Sequence, residues 1–100
     1  MLNPEEMSKS ADRATRLLKA LANEKRLMIL CQLAEHELSV GELQARLGMG
    51  QAQLSQQLAR LRRDGLVKTR REAQTIRYSL AGDEAARILN ELYGLYCSPA

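Results

Sequence analysis

Three residues in this chain carry the sulfur or imidazole groups most often used for chemistry: Cys31, Cys97 and His36. A thiol can be oxidised, can accept sulfane sulfur or can bind a soft metal, and an imidazole can move a proton or ligate a metal. One His and two Cys fall short of a closed four-ligand metal site unless carboxylates or a second subunit complete it. His36 lies between Glu35 and Glu37 in a polar stretch and reads as a solvated connector residue. There is no C-x-x-C pair, no convincing Cys–His pairing and no glycine-rich phosphate loop, so a thiol enzyme lacks its usual parts. Cys31 falls on an apolar helical stripe, where a free Cys commonly serves as a small core residue. Cys97 stands near the chain end, where packing is generally looser, and fits that role less well.

A second constellation is polar rather than reactive. Gln51, Gln53, Ser55, Gln56 and Gln57 precede Arg60, Arg62 and Arg63, and then come Lys68, Arg70, Arg71, Gln74 and Arg77. Glutamine can bond adenine through two atoms, and serine serves several base edges. Arginines suit phosphates, which supply affinity without sequence information. Charge is distributed accordingly. Residues 1–50 carry seven Lys/Arg against seven Asp/Glu, residues 51–77 seven against two, and residues 78–100 one against three. A basic middle between neutral and acidic flanks suits a nucleic-acid partner, although a solvated charged face would look the same.

These groups need elements to hold them. Asn3-Pro4-Glu5-Glu6 opens a helix with an N-cap, a proline in the first turn and two early acids. Asn23 starts a second helix, in which Leu27, Leu30, Cys31 and Ala34 recur at the spacing of one buried face. Ser39 and Glu42 form a capping box for a short third helix ending at Gly48, and Gly48-Met49-Gly50 makes the turn into a fourth. That fourth helix spans about Gln51 to Asp64. Leu54, Leu58 and Leu61 face inward, which turns Ala52, Gln56, Ala59 and Arg63 outward. The period then changes to two. Residues 66–70 and 75–80 predict strands joined by a turn at Arg71-Glu72-Ala73-Gln74, and a final helix carries Ile88, Leu89, Leu92, Leu95 and Tyr96, with Pro99 beyond it. The expectation is one mainly α domain over residues 1–100 with a small β-hairpin wing. Its order is α-α-β-α-α-β-β-α, a winged helix-turn-helix.

Composition agrees with this. The chain is 45% hydrophobic but has no Phe and no Trp, so Leu, Ile, Val, Met and Ala must build the core. Leucine-rich helices in so small a chain commonly cover leftover apolar surface by pairing. No run is long enough to span a membrane, and the N-terminus lacks the basic-then-apolar order of a signal peptide. A cytoplasmic protein with reduced thiols is expected.

The stretches Leu18–Leu27, Leu38–Leu43, Gln53–Leu58, Leu66-Val67 through Arg70-Arg71, and Tyr78-Ser79-Leu80 resemble ArsR-type repressors, over residues from about 13 to 97. The resemblance implies a homodimer built on the first and last helices that binds a palindromic double-stranded DNA operator; no membrane partner and no cofactor are expected. Gly50 stands where many relatives have a capping Ser, and the wing tip Arg71-Glu72-Ala73-Gln74 replaces a glycine turn. Ser39 and Gly41 occupy the positions of the Cys pair that many metal-binding members use, and the last helix has no His, which argues against the usual metal sensor. Ile29-Leu30-Cys31 and Leu95-Tyr96-Cys97 resemble the persulfide- and redox-responsive BigR, SqrR and HlyU branch. That likeness implies Cys31 and Cys97 as a sensing pair, joined by a disulfide or polysulfide in response to reactive sulfur or an oxidant. DNA contacts are then expected from Gln51, Gln53, Ser55, Gln56, Gln57, Arg60, Arg63, Arg70, Arg71, Gln74 and Arg77. The alternatives are a non-switching DNA binder that displaces a silencing protein, a metal-responsive repressor, a thiol enzyme and a structural interaction module.

Overall fold

The computed structural model describes residues 2–97; Pro99, expected beyond the last helix, lies outside them. Asn3 accepts hydrogen bonds from the Glu5 and Glu6 N–H groups and starts α1, Pro4–Leu21. Asn23 accepts from the Arg26 N–H in the same way and starts α2, Glu24–Glu35. A short strand β1, Leu38–Ser39, leads directly into α3, Val40–Leu47. The Ser39–Glu42 capping box closes as its sequence signature requires.

Helix α3 ends at Gly48, whose φ of 68° lies in the left-handed region that favours glycine. Three residues later α4 begins and runs from Gln51 to Arg63. Strands β2, Val67–Glu72, and β3, Thr75–Leu80, form the wing, and α5, Glu84–Tyr96, completes the chain. The sheet is antiparallel in the order β1-β3-β2, with Leu38 opposite Tyr78 and Val67 opposite Leu80.

The core joins all of these elements. Ile29, Leu30, Leu43, Leu54, Leu58 and Leu61 are its fully buried large side chains, and Ala20, Leu21, Leu33, Leu38, Val67 and Leu89 pack around them. The alternation of Val67 inward and Lys68 outward is the period-2 signal that distinguished the wing from the helices.

Two boundaries differ from expectation. The hairpin turn is Ala73-Gln74 alone, because Arg71 and Glu72 stay in β2, opposite Ile76 and Thr75. Ladder pairing carries these charged residues through a segment that their composition suggested was loop. The buried face of α2 also differs. It is Arg26, Ile29, Leu30 and Leu33, whereas Leu27, Cys31 and Ala34 are half-buried flanks. A charge can hold a core position here because its fork is satisfied: Arg26 Nε donates to the Ala20 carbonyl at 3.0 Å and Nη2 to the Lys19 carbonyl at 3.1 Å. These bonds cap the last turn of α1.

Candidate nucleic-acid interface and cysteine pair

Helix α4 is anchored by Leu54, Leu58 and Leu61, all fully buried, so its opposite side is set by the helical period. Gln51, Ala52, Ser55, Gln56, Ala59, Arg60 and Arg63 are exposed there. Gln53 and Gln57 are half-buried. Gln57 turns back toward the body, where its Oε1 lies 3.5 Å from Arg26 Nη1. The N-terminal half of the exposed face is therefore uncharged and built from amides, a hydroxyl and a methyl. Its N-cap, Gly50, supplies no side-chain hydrogen bond, and no acidic residue stands in the first turn. The positive end of the helix dipole thus faces outward without a carboxylate of its own.

The arginines divide into two sets. On α4, Arg60 makes only a loose 4.0 Å contact with Asp64, and among the described residues Arg62 and Arg63 make no ion pair. On the wing, Arg70 and Arg77 stand directly opposite one another on β2 and β3. Like charges in that arrangement repel, and three carboxylates separate them. Glu37 takes the Arg70 fork with Nη2–Oε1 at 2.6 Å and Nε–Oε2 at 3.1 Å. Glu72 lies 2.9 Å from Arg77 Nε and 3.5 Å from Arg70 Nη1. Glu42 Oε1 accepts from Arg77 at 3.0 Å and from its own capping partner, the Ser39 N–H, at 2.9 Å.

The charges respond to this. The Arg70 hydrogen bond holds the Glu37 carboxyl below its usual range, the Ser39 backbone bond does so first for Glu42, and the Arg77 bond does so first for Glu72. Arg71 is exposed, with Nε donating to the Ala73 carbonyl, and Gln74 is exposed at the tip.

The cysteines occupy two elements in contact. Helix α2 packs against α5. Cys31 sits half-buried on the flank of α2, and Cys97 caps α5, exposed, with its N–H donating to the Tyr93 carbonyl at 2.8 Å. Both are free thiols. Burial is the main cause that pushes the Cys31 thiol up from its ordinary value, and the charges of Cys97 and Glu35 add to it. Cys31 packs against the edge of the leucine core and keeps part of its surface exposed. Among the described residues, no group of three or more His, Cys, Asp or Glu side chains is gathered where it could hold a metal, and His36 is exposed.

Residues 23–69 match the sequence pattern described as bacterial regulatory protein, arsR family. The transcriptional activator HlyU of Vibrio cholerae is 55% identical over 96% of this chain and 89% of its own length. The chain belongs to the ArsR family. A solved structure of V. cholerae HlyU superposes with a TM-score of 0.86 over 92% of this chain and all of that one. The transcriptional repressor BigR of Xylella fastidiosa, 45% identical, superposes at 0.90 over 98% of this chain and all of its own. The homodimeric winged helix-turn-helix DNA-binding domain Mb0332 of Mycobacterium bovis, 32% identical, superposes at 0.74 over 93% of each chain. This ArsR-family chain is thus a DNA-binding transcriptional regulator of the HlyU and BigR type, and the expected winged helix-turn-helix is its fold. These relatives are named as regulators and not as enzymes. No helix among the described residues is long and apolar enough to cross a membrane.

Sequence reasoning missed four residues of this site: Arg26, Glu37, Glu42 and Glu72. Arg26 carried a usable signal, since it continues the i, i+3, i+4, i+7 stripe of Ile29, Leu30 and Leu33. Glu37 and Glu42 carried none, because their arginine partners lie more than thirty positions away.

Proposed function

We propose that the chain is the single-domain protomer of a cytoplasmic homodimeric repressor that binds a palindromic operator when its thiols are reduced and releases it when Cys31 and Cys97 are joined. Two copies would pair through α1 and α5. Six of the nine large apolar side chains exposed among the described residues lie on these helices: Met7, Leu18, Ile88, Tyr93, Leu95 and Tyr96. Tyr96 is 81% and Leu95 72% exposed, and such surface is costly to leave in water. A homodimer presents two α4 helices to half-sites about 34–36 Å apart. Gln51, Ser55 and Gln56 would read base edges, with Gln53 at the margin; Arg60, Arg63 and the wing-tip pair Arg71 and Gln74 would meet the backbone.

What carries the switch is the packing of α2 against α5, which brings the elements bearing Cys31 and Cys97 together. Exposed Cys97 is the thiol a reagent reaches first. An organic persulfide RSSH transfers its outer sulfur, leaving RSH and Cys97–SSH. The Cys31 thiolate then attacks the inner sulfur, forming Cys31–S–S–Cys97 and expelling hydrosulfide. If Cys31 is persulfidated as well, the two persulfides condense to a trisulfide and release hydrogen sulfide. A peroxide reaches the disulfide through a sulfenic acid at Cys97, with water as the product. Either link ties α2 to the end of the dimer-forming helix and alters the separation of the two α4 helices. A coupling of about 1–3 kcal/mol lowers operator affinity about 5–150-fold.

The experiment is operator binding by reduced, disulfide and persulfide-treated protein, with Cys31→Ser beside wild type. Affinity that stays unchanged under all three treatments in both proteins ends the switch. A second reading comes from the 55%-identical relative named as an activator: the same operator binding could displace a silencing protein. Transcription from a purified template separates the two, since a repressor lowers it there and an anti-silencer leaves it unaltered.

A further inference from the structure

The basic wing suggested by composition is largely neutralised by the fold. Arg70 and Arg77 share one face of the hairpin with Lys68, and Glu37, Glu42 and Glu72 interleave with the two arginines at 2.6–3.5 Å. Two of those carboxylates come from outside the wing: Glu37 precedes β1 and Glu42 lies in the first turn of α3. The Glu37–Arg70 contact is bidentate, the geometry an arginine also uses on a phosphate. Every group in the lattice keeps part of its surface in water, with Glu37 33% and Arg70 51% exposed, so nucleic acid can compete for the fork. An isolated exposed pair is weak, but bidentate geometry and a network of several charges strengthen it, whereas a polyanion of high charge density would take an arginine that had no built-in partner.

Building on the operator-binding function above, we propose that Glu37 and Glu42 are specificity-determining residues: they hold Arg70 and Arg77 on the protein, so the wing base adds no sequence-blind phosphate contact. The guanidinium groups then act as struts between β2, β3 and the start of α3. Backbone contact from the wing is left to Arg71 and the tip, and discrimination is left to the amide face of α4. Arg70 and Arg77 change role accordingly, from expected phosphate ligands to positioning residues.

The test compares wild type, E37Q, R70A and E37Q/R70A on operator and non-operator duplexes across a salt series. E37Q removes the bidentate partner of Arg70 in each protomer and leaves it only the 3.5 Å contact with Glu72. The slope of log K against log salt on non-operator DNA should steepen by about 0.9 per freed arginine, and the operator preference should fall. R70A should leave the wild-type slope in place, and E37Q/R70A should return to it. Three results overturn the proposal: an unchanged slope in E37Q, a shallower slope in R70A by about 0.9 per protomer, or an E37Q gain that survives in the double variant. The last would mean that Glu37 acts only through its own repulsion of DNA. Absence of salt-dependent operator binding in wild type would instead defeat the DNA-binding function itself. Unfolding midpoints for each variant show whether the wing still folds; if E37Q and E37Q/R70A unfold like wild type while the slopes coincide, the inference fails on its own terms.

Discussion

Arg26 is 7% exposed and is the only charged residue in the buried set among those described, so its replacement by methionine gives a sharp test of how the helices are joined. Two of its donors satisfy the Ala20 and Lys19 carbonyls at 3.0 and 3.1 Å, at the negative end of the α1 dipole. Hydrogen bonds from a charged donor contribute about 1.5–3 kcal/mol each. The third contact, to Gln57 at 3.5 Å, lies at the end of hydrogen-bond range and adds little. Losing two bonds costs about 3–6 kcal/mol, and the apolar methionine chain recovers about 1 kcal/mol of that by packing. The net loss of roughly 2–5 kcal/mol is a large share of the ~5–15 kcal/mol typical of a domain. It corresponds to a fall in melting temperature of roughly 10–25 °C for a chain of this length. The assay is urea denaturation followed by circular dichroism at one fixed protomer concentration, because pairing makes the midpoint concentration-dependent. Arg26→Lys keeps the charge but not the fork and should fall between the two. A change under about 1 kcal/mol in Arg26→Met, or a lysine variant no better than methionine, would refute the view that this fork holds α1 to α2.

Three further outcomes follow from local geometry. Ala73 has a φ of 56° at the first position of the wing turn, and Ala73→Gly should stabilise by about 0.5–1 kcal/mol, since about 1–2 kcal/mol of strain is relieved against glycine's entropy cost; a thermal melt that falls would contradict this. Alkylation of Cys31 should reach half its maximal rate above the ordinary thiol range, and Cys97→Ser should lower that midpoint without normalising it, since burial is the larger cause; an identical midpoint in the two proteins would show that Cys97's charge is not felt. The carboxyls of Glu37, Glu42 and Glu72 are lowered in the fold, so their stabilisation is present above the usual carboxylate range near 4.3 and is lost as pH falls through the lowered values. The unfolding-midpoint gap between wild type and Glu72→Gln should therefore close in acid, and a gap that persists there would show that Glu72 acts by packing instead of charge.

Local signals accounted for most of the architecture. Asn3, Asn23 and the Ser39–Glu42 box start their helices as capping chemistry requires, and Gly48 ends α3 in the left-handed region. The Leu54, Leu58 and Leu61 period alone oriented α4 and so exposed Gln51, Ser55 and Gln56. Such signals act within one or two helical turns, which is why they can be read along a chain. Where they failed, a partner distant in sequence had intervened. The α2 stripe is the exception: it lies one residue earlier than expected, on Arg26, Ile29, Leu30 and Leu33, which leaves Cys31 on its flank, and the partners of Arg26 are only six and seven residues away. Gln57, expected among the DNA contacts, is half-buried, with its Oε1 3.5 Å from Arg26 Nη1, thirty-one positions away.

The sequence by itself therefore determined the elements, their caps, the outward face of α4 and the presence of two thiols in a chain poor in other reactive groups. Only the tertiary structure decided which charges are free. Residues 51–77 carry a surplus of positive charge along the chain, yet Glu37, just before β1, and Glu42, in α3, reach across to occupy Arg70 and Arg77. Periodicity and composition report short-range preferences, whereas an ion pair forms wherever folding brings opposite charges within a few ångströms, whatever their separation in sequence. The same holds for the thiols: packing of α2 on α5 sets the relation of Cys31 to Cys97, and no local pattern near either residue encodes it.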